Sequence, residues 1–182
     1  MTLKLTAGVL VLAGTIMLAG CGKKGETVWL GNGANGTTVI VGFTLNSTAK
    51  LPVRINGVSI AAILPAGVSV ATDPANPKQI STSALVTGSA LSSLPAADTM
   101  VLGSYSSAGR LVRIAVATGA MGFGPGEFVQ LTCQVASGTI VTTGGFTALN
   151  TPPVTFNAYG FDPVSHSTDD LTKLLLPQFM VR

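Results

Sequence analysis

Charge is scarce in this chain. Asp, Glu, Lys and Arg make up 9% of its 182 residues, against about 25% in ordinary globular chains. Such a surface is wetted mainly by Ser, Thr, Asn, Gln and backbone groups. The formal net charge of +3 is spread along the chain, with no basic stripe to follow a nucleic-acid backbone, so nucleic acid is not an expected partner. Histidine occurs once, as His166 between Ser165 and Ser167, and a lone His in a polar loop lacks metal-ligand spacing and reads as solvated. Aromatic residues are 5% of the chain, so a broad stacking platform for sugars has few candidates; Tyr105 and Tyr159 serve only if they are exposed together.

The acids are equally few: Glu26, Asp73, Asp98, Glu127, Asp162, Asp169 and Asp170. Catalysis needs a nucleophile or titratable group poised by its neighbours, and no such spacing is present. Asp98 and Glu127 are the pair to watch for glycoside cleavage, but nothing in the sequence brings them together. Asp162, Asp169 and Asp170 fit no calcium loop, and the last two read better as acids at the start of a helix. The run Gly122, Phe123, Gly124, Pro125, Gly126 has no following Lys and no helix to cradle a phosphate, so it reads as turn chemistry. No Gly-x-Ser-x-Gly elbow occurs. The expectation is a protein that is not an enzyme and holds no cofactor or metal.

What is present begins at the N-terminus. After Lys4, residues from Leu5 to Leu18 carry no charge, which suits the apolar core of a signal peptide and falls short of the roughly 20 residues of a membrane-spanning helix. The core stops at Leu18, Ala19, Gly20, Cys21, just before Lys23 and Lys24. Those four residues resemble the lipobox of bacterial lipoproteins. The resemblance implies that residues 1–20 are removed, that Cys21 is lipidated, and that the new amino terminus is acylated too. Two or more acyl chains hold a protein to a bilayer durably where one does not. Gly22 stands where an Asp would signal inner-membrane retention, so the resemblance points to the outer membrane of the cell envelope. Residues 21–36 are Gly-rich and carry Lys23, Lys24 and Glu26, with Trp29 their only aromatic, and read as a flexible tether.

With Cys21 acylated, Cys133 has no partner for a disulfide. It shares the apolar parity of Val129, Leu131 and Val135 and is expected as a small buried hydrophobe.

Residues 37–182 read as strands. Val39, Val41, Phe43 and Leu45 alternate with Thr38, Ile40, Gly42 and Thr44, the period of a strand with one buried face. Between Val53 and Leu64 the apolar parity switches at Asn56 and Gly57, which either a bulge or a tight hairpin absorbs. Val68–Ala71 forms a short strand closed by the Pro-rich run at 73–77, and 78–97 holds a strand or two amid loops. Met100–Tyr105 and Leu111–Ala117 make a hairpin about Ser106–Gly109, and the glycine cluster at 119–126 carries the chain across to Phe128–Val135. Ile140–Thr143, Phe146–Leu149 and Val154–Phe161 are read as further β segments. In the tail, Ser167–Asp170 suits the cap of a short helix running to Leu176 and stopped by Pro177, with Phe179–Val181 as a last strand. Eight to ten short, turn-punctuated strands with little helical period predict an all-β antiparallel sandwich of jelly-roll or immunoglobulin-like type.

Three stretches within Val39–Phe161 are similar to cohesin-type domains, jelly-roll sandwiches related to carbohydrate-binding modules. They are Ile55–Ile60 running on to Leu64–Val68, Leu111–Ala117 with Gly122–Phe128, and Leu131–Val135. The resemblance implies one bulged strand at Asn56 in place of a hairpin. It also implies recognition of a protein partner, such as a dockerin-like module, or of a polysaccharide through one sheet face. The expectation is a membrane-anchored binding or adhesion module of the envelope, with a structural or accessory subunit of an envelope assembly as the alternative and a hydrolase the least favoured.

Overall fold

A computed structural model describes residues 28–30, 37–119 and 121–182. The signal segment 1–20, Cys21 and most of the 21–36 stretch lie outside these described residues. Within that stretch Val28–Leu30 forms a strand, β1, paired antiparallel with β11 (Ile140–Thr142).

The rest is two packed antiparallel sheets, as the alternation predicts. The first half of the chain supplies β2 (Thr37–Ser47), β3 (Ile55–Ile63), β4 (Val68–Val70), β5 (Thr72–Asp73), β6 (Asn76–Ile80) and β7 (Leu85–Thr87). The second half supplies β8 (Thr99–Ser106), β9 (Leu111–Thr118), β10 (Gly126–Val135), a short helix α1 (Thr143–Leu149), β12 (Thr155–Asp162), β13 (Ser167–Asp170) and β14 (Leu175–Val181). One sheet has five strands in the order β14-β2-β10-β4, with β7 also on β10, and the other has seven in the order β13-β12-β3-β9-β8-β6-β5. The strands outnumber the eight to ten expected because the Ser- and Ala-rich middle of the chain breaks into short pieces, β4 to β7, two of which share one edge of β10.

The core lies between the sheets. Val39, Val41, Phe43 and Leu45 of β2 point inward with Val129, Leu131, Cys133 and Val135 of β10. Ile60 and Ala62 of β3 and Val112, Ile114 and Val116 of β9 face them from the opposite sheet. Each such aliphatic side chain taken out of water contributes about 1.5–3 kcal/mol. Phe43 is the hub: its ring meets Phe128, Phe146 and Phe179 edge-on at centroid distances of 6.4, 6.4 and 5.5 Å. Edge-on pairs contribute about 0.5–1.5 kcal/mol beyond their burial.

The parity switch in β3 is a bulge within one strand. Gly57 pairs with Tyr159 and Ile55 with Gly160, leaving Asn56 as the extra residue. Its amide donates to the Gly119 carbonyl and its oxygen accepts the Phe161 N–H at 3.0 Å, so the bulge ties β3 to the crossing loop and to β12. Asn56 thereby keeps Ile55 and Val58 both inward. The 100–117 hairpin and the glycine-rich crossing connection also stand as expected, the latter passing the chain from β9 in one sheet to β10 in the other.

Two expectations are corrected. Phe146–Leu149 is helical, not extended: the Thr142 hydroxyl caps the Gly145 N–H at 2.9 Å, and Phe146 is buried under Phe43. Asn150, fully buried, ends this helix by donating to the Phe146 carbonyl at 2.9 Å while exchanging hydrogen bonds with the Ile63 backbone. The helix expected from Ser167 to Leu176 is absent. Ser167–Asp170 is β13, paired with β12, and only Thr172–Leu174 makes a single 3-10 turn. Pro177 does not stop a helix but sits inside β14, an outer strand of its sheet, where a missing N–H is tolerated.

Candidate binding face

The outward side chains of the seven-stranded sheet form three cross-strand rows. From β12 to β8 they read Tyr159, Gly57, Ala117, Met100, then Asn157, Ser59, Ala115, Leu102, then Thr155, Ala61, Arg113, Ser104 with Gln79 of β6 beyond. Alternation along β3 and β9 dictates this, because Val58, Ile60, Ile114 and Val116 are spent inward and Gly57, Ser59, Ala115 and Ala117 remain for the outside of the first two rows. The middle of the face is therefore low. Its rims are high and apolar: Met100, Leu102 and Tyr159 are 52%, 48% and 44% exposed. A Cβ added at Gly57 would meet nothing within 4 Å. Toward β6 the trough deepens into a depression of about 380 Å3 lined by Ser59, Lys78, Gln79, Leu102, Arg113 and Ala115.

The outer face of the five-stranded sheet exposes Ile40, Leu176 and Met180, and at its centre it is bridged by its own charged side chains. Glu127 of β10 reaches across β2 to an ion pair with Arg182, just past β14, and accepts a hydrogen bond from the Gln130 amide. Both charged groups lie over Gly42, whose hydrogen leaves the room they need. The Glu127 side chain is 10% exposed and that of Arg182 45%. A second depression, of about 500 Å3, lies among loop residues around Leu51–Arg54 and Phe123–Pro125.

The remaining residues singled out in the sequence fall apart spatially. Asp98 precedes β8 in one sheet while Glu127 belongs to the other and is held by Arg182. Tyr159 stands outward, whereas Tyr105 packs against the core, where burial raises its pKa, so the two tyrosines make no common platform. Cys133 is fully buried, and burial pushes its thiol up to about 12. His166 is exposed in the β12–β13 turn with φ 55°, its ring 6.2 Å from that of Phe161. Asp162 folds back on that turn, accepting from the Ser165 hydroxyl at 2.7 Å and the Val164 N–H at 2.9 Å, and these bonds lower its pKa. Asp170 is lowered likewise by hydrogen bonds from Thr172. These acids cap turns, not a helix. Among the described residues no group of three His, Cys, Asp or Glu is placed to hold a metal ion, and no helix is long and apolar enough to cross a membrane.

The feature missed from the sequence is the trough. Its signal was the small residues on the outward parity of β3 and β9. The Glu127–Arg182 pair was beyond reach, since its partners meet only because β2 runs between β10 and β14. No known family, curated protein or solved structure matches the chain.

Proposed function

We propose that the chain is a non-catalytic binding module of the bacterial envelope, anchored by lipid at Cys21, that recognises a protein partner through the outer face of its seven-stranded sheet. The observation that carries this reading is the contrast between a low floor of Gly57, Ser59, Ala115 and Ala117 and the exposed apolar rims at Met100, Leu102 and Tyr159. Exposed apolar surface arranged around a concavity is costly to leave wet and is characteristic of recognition sites. A protein is favoured over a polysaccharide because the rims are mainly aliphatic. Sugar rings stack on aromatic planes, and Tyr159 is the one exposed aromatic on this face. The cohesin resemblance and the lipobox at Leu18–Cys21 support the same reading from the sequence side.

Two measurements test it. Cells fed labelled palmitate should label the protein, and Cys21→Ala should abolish both the label and membrane retention. A photoreactive benzophenone amino acid in place of Leu102 should yield a discrete adduct in intact cells, while the same group in place of Thr132, on the opposite outer face, should not. Adducts of equal intensity from both faces, or none from Leu102, would overturn the reading. A single stoichiometric envelope partner would make the module a subunit of an assembly; varied or extracellular partners would make it an adhesin.

A further inference from the structure

Resting on that reading, we infer that the partner is acidic where it enters the trough: a protein segment whose carboxylates seat on Arg113 and Lys78 while neighbouring aliphatic side chains cover Leu102 and Met100.

Arg113 projects from the middle of the face and Lys78 stands at its β6 side. Together with Ser104 they line both the 380 Å3 depression and an adjoining one of about 300 Å3, so the two cations form the ridge between them. Among the described residues neither lies within ion-pair distance of a carboxylate, the Glu127–Arg182 contact on the other sheet being the one salt bridge there. Three acids of the same sheet, Asp73, Asp162 and Asp170, are engaged in their own turns. Asp73 on β5 accepts the Ala75 N–H of its own turn at 2.8 Å, and Asp170, across the face beside Tyr159, accepts the Thr172 N–H at 2.9 Å. Arg110, in the β8–β9 turn, adds a third positive charge near Tyr105.

Chemistry and geometry then select the ligand. A guanidinium offers a planar fork that takes a carboxylate through two parallel hydrogen bonds, and an ammonium beside it adds charge without fixing direction. Two uncompensated cations in a shallow cleft repel a basic partner as firmly as they attract an acidic one, so they supply specificity as well as attraction. Arg113 and Leu102 sit on adjacent strands and adjacent rows, hence a partner needs an acidic and an aliphatic side chain close together.

The test uses the full-length protein in its own cells with the benzophenone group in place of Leu102, combined with charge variants of the two exposed cations. Lys78→Glu with Arg113→Glu should lower the adduct at least about ten-fold, and Lys78→Gln with Arg113→Gln should lower it less. Arg113→Lys should lower it in part, since the charge stays but the paired hydrogen bonds are lost. Thermal melts of the purified variants should match the parent, since neither side chain is buried. In washed membranes carrying the protein with both cations intact, raising salt from about 0.15 M to about 1 M before irradiation shortens the screening length from about 8 Å to about 3 Å and should lower the adduct, whereas the double reversal should show no such loss. Mass spectrometry of the crosslinked peptide should find Asp or Glu flanking the attachment point. An adduct undiminished by the double reversal would overturn the acidic partner while leaving the binding face intact. A protease-resistant adduct would mean a polysaccharide and overturn it too, and no adduct in any background would overturn the inference together with the face.

Discussion

Gly42 on β2 and Gly57 on β3 both face outward from the middle of a sheet, and their surroundings are opposite. A Cβ at Gly42 would press into the Glu127 carboxylate and sit 2.9 Å from the Arg182 guanidinium, whereas a Cβ at Gly57 would meet open space. One glycine makes room for the molecule's own ion pair. The other leaves a floor that nothing in the described chain covers. The two sheets share one core, so this difference does not arise from folding needs on the inside. It separates a sheet whose middle is bridged by its own charged side chains from one whose middle stays open.

The largest effect that bears on this contrast is expected where both sheets depend on the same residue. Phe43→Ala empties the junction of four phenylalanines and should cost about 3–5 kcal/mol in a denaturant titration, unfolding both faces in one transition. Next come the two glycines themselves. Gly42→Ala should destabilise by about 1 kcal/mol, because its Cβ pushes aside the ends of two flexible side chains and breaks their ion pair, while Gly57→Ala should stay within about 0.5 kcal/mol. Equal losses at both sites would erase the contrast. Glu127→Gln should cost about 1 kcal/mol and make the unfolding midpoint less sensitive to salt, because it removes a partly exposed ion pair from the five-stranded sheet alone.

The smallest effect is at neutral pH, where the Cys133 thiol should not react with iodoacetamide until denaturant is added. Its pKa is raised from an ordinary 9.0 to about 12 by burial, so the neutral thiol favours the folded state. The unfolded chain ionises first. That contribution is whole below pH 9.0 and should be lost as pH climbs from there toward about 12, whereas Cys133→Ala should remove this part of the alkaline decline.

Much of the fold was legible because alternation is a local signal. Val39 to Leu45, the 100–117 hairpin and Val129 to Val135 each declare a buried face within a few residues. The segments that misled are those whose partners lie far along the chain. Ser167–Asp170 has the composition of a helix cap, yet its backbone pairs with Tyr159–Asp162, and that long-range ladder outweighs a local preference. Gly144 and Gly145 weaken any helical reading of 143–149, while the packing of Phe146 beneath Phe43 and the hydrogen bonds of Asn150 to Ile63 hold it helical. The candidate face was half legible. The small outward residues of β3 and β9 were in view, but their alignment into rows, and the meeting of Lys78 with Arg113, depend on which strands become neighbours.

The edge of β10 is divided between β4 at Cys133–Val135 and β7 at Val129–Leu131, so no continuous strand borders that side. The opposite border, β14, contains Pro177, and the Val181 N–H is taken by the Thr143 hydroxyl. The seven-stranded sheet ends in strands of four and two residues. None of these margins offers a long ladder on which a second copy can template itself. Copies brought shoulder to shoulder would find no continuous strand border among these margins on which to grow into filaments.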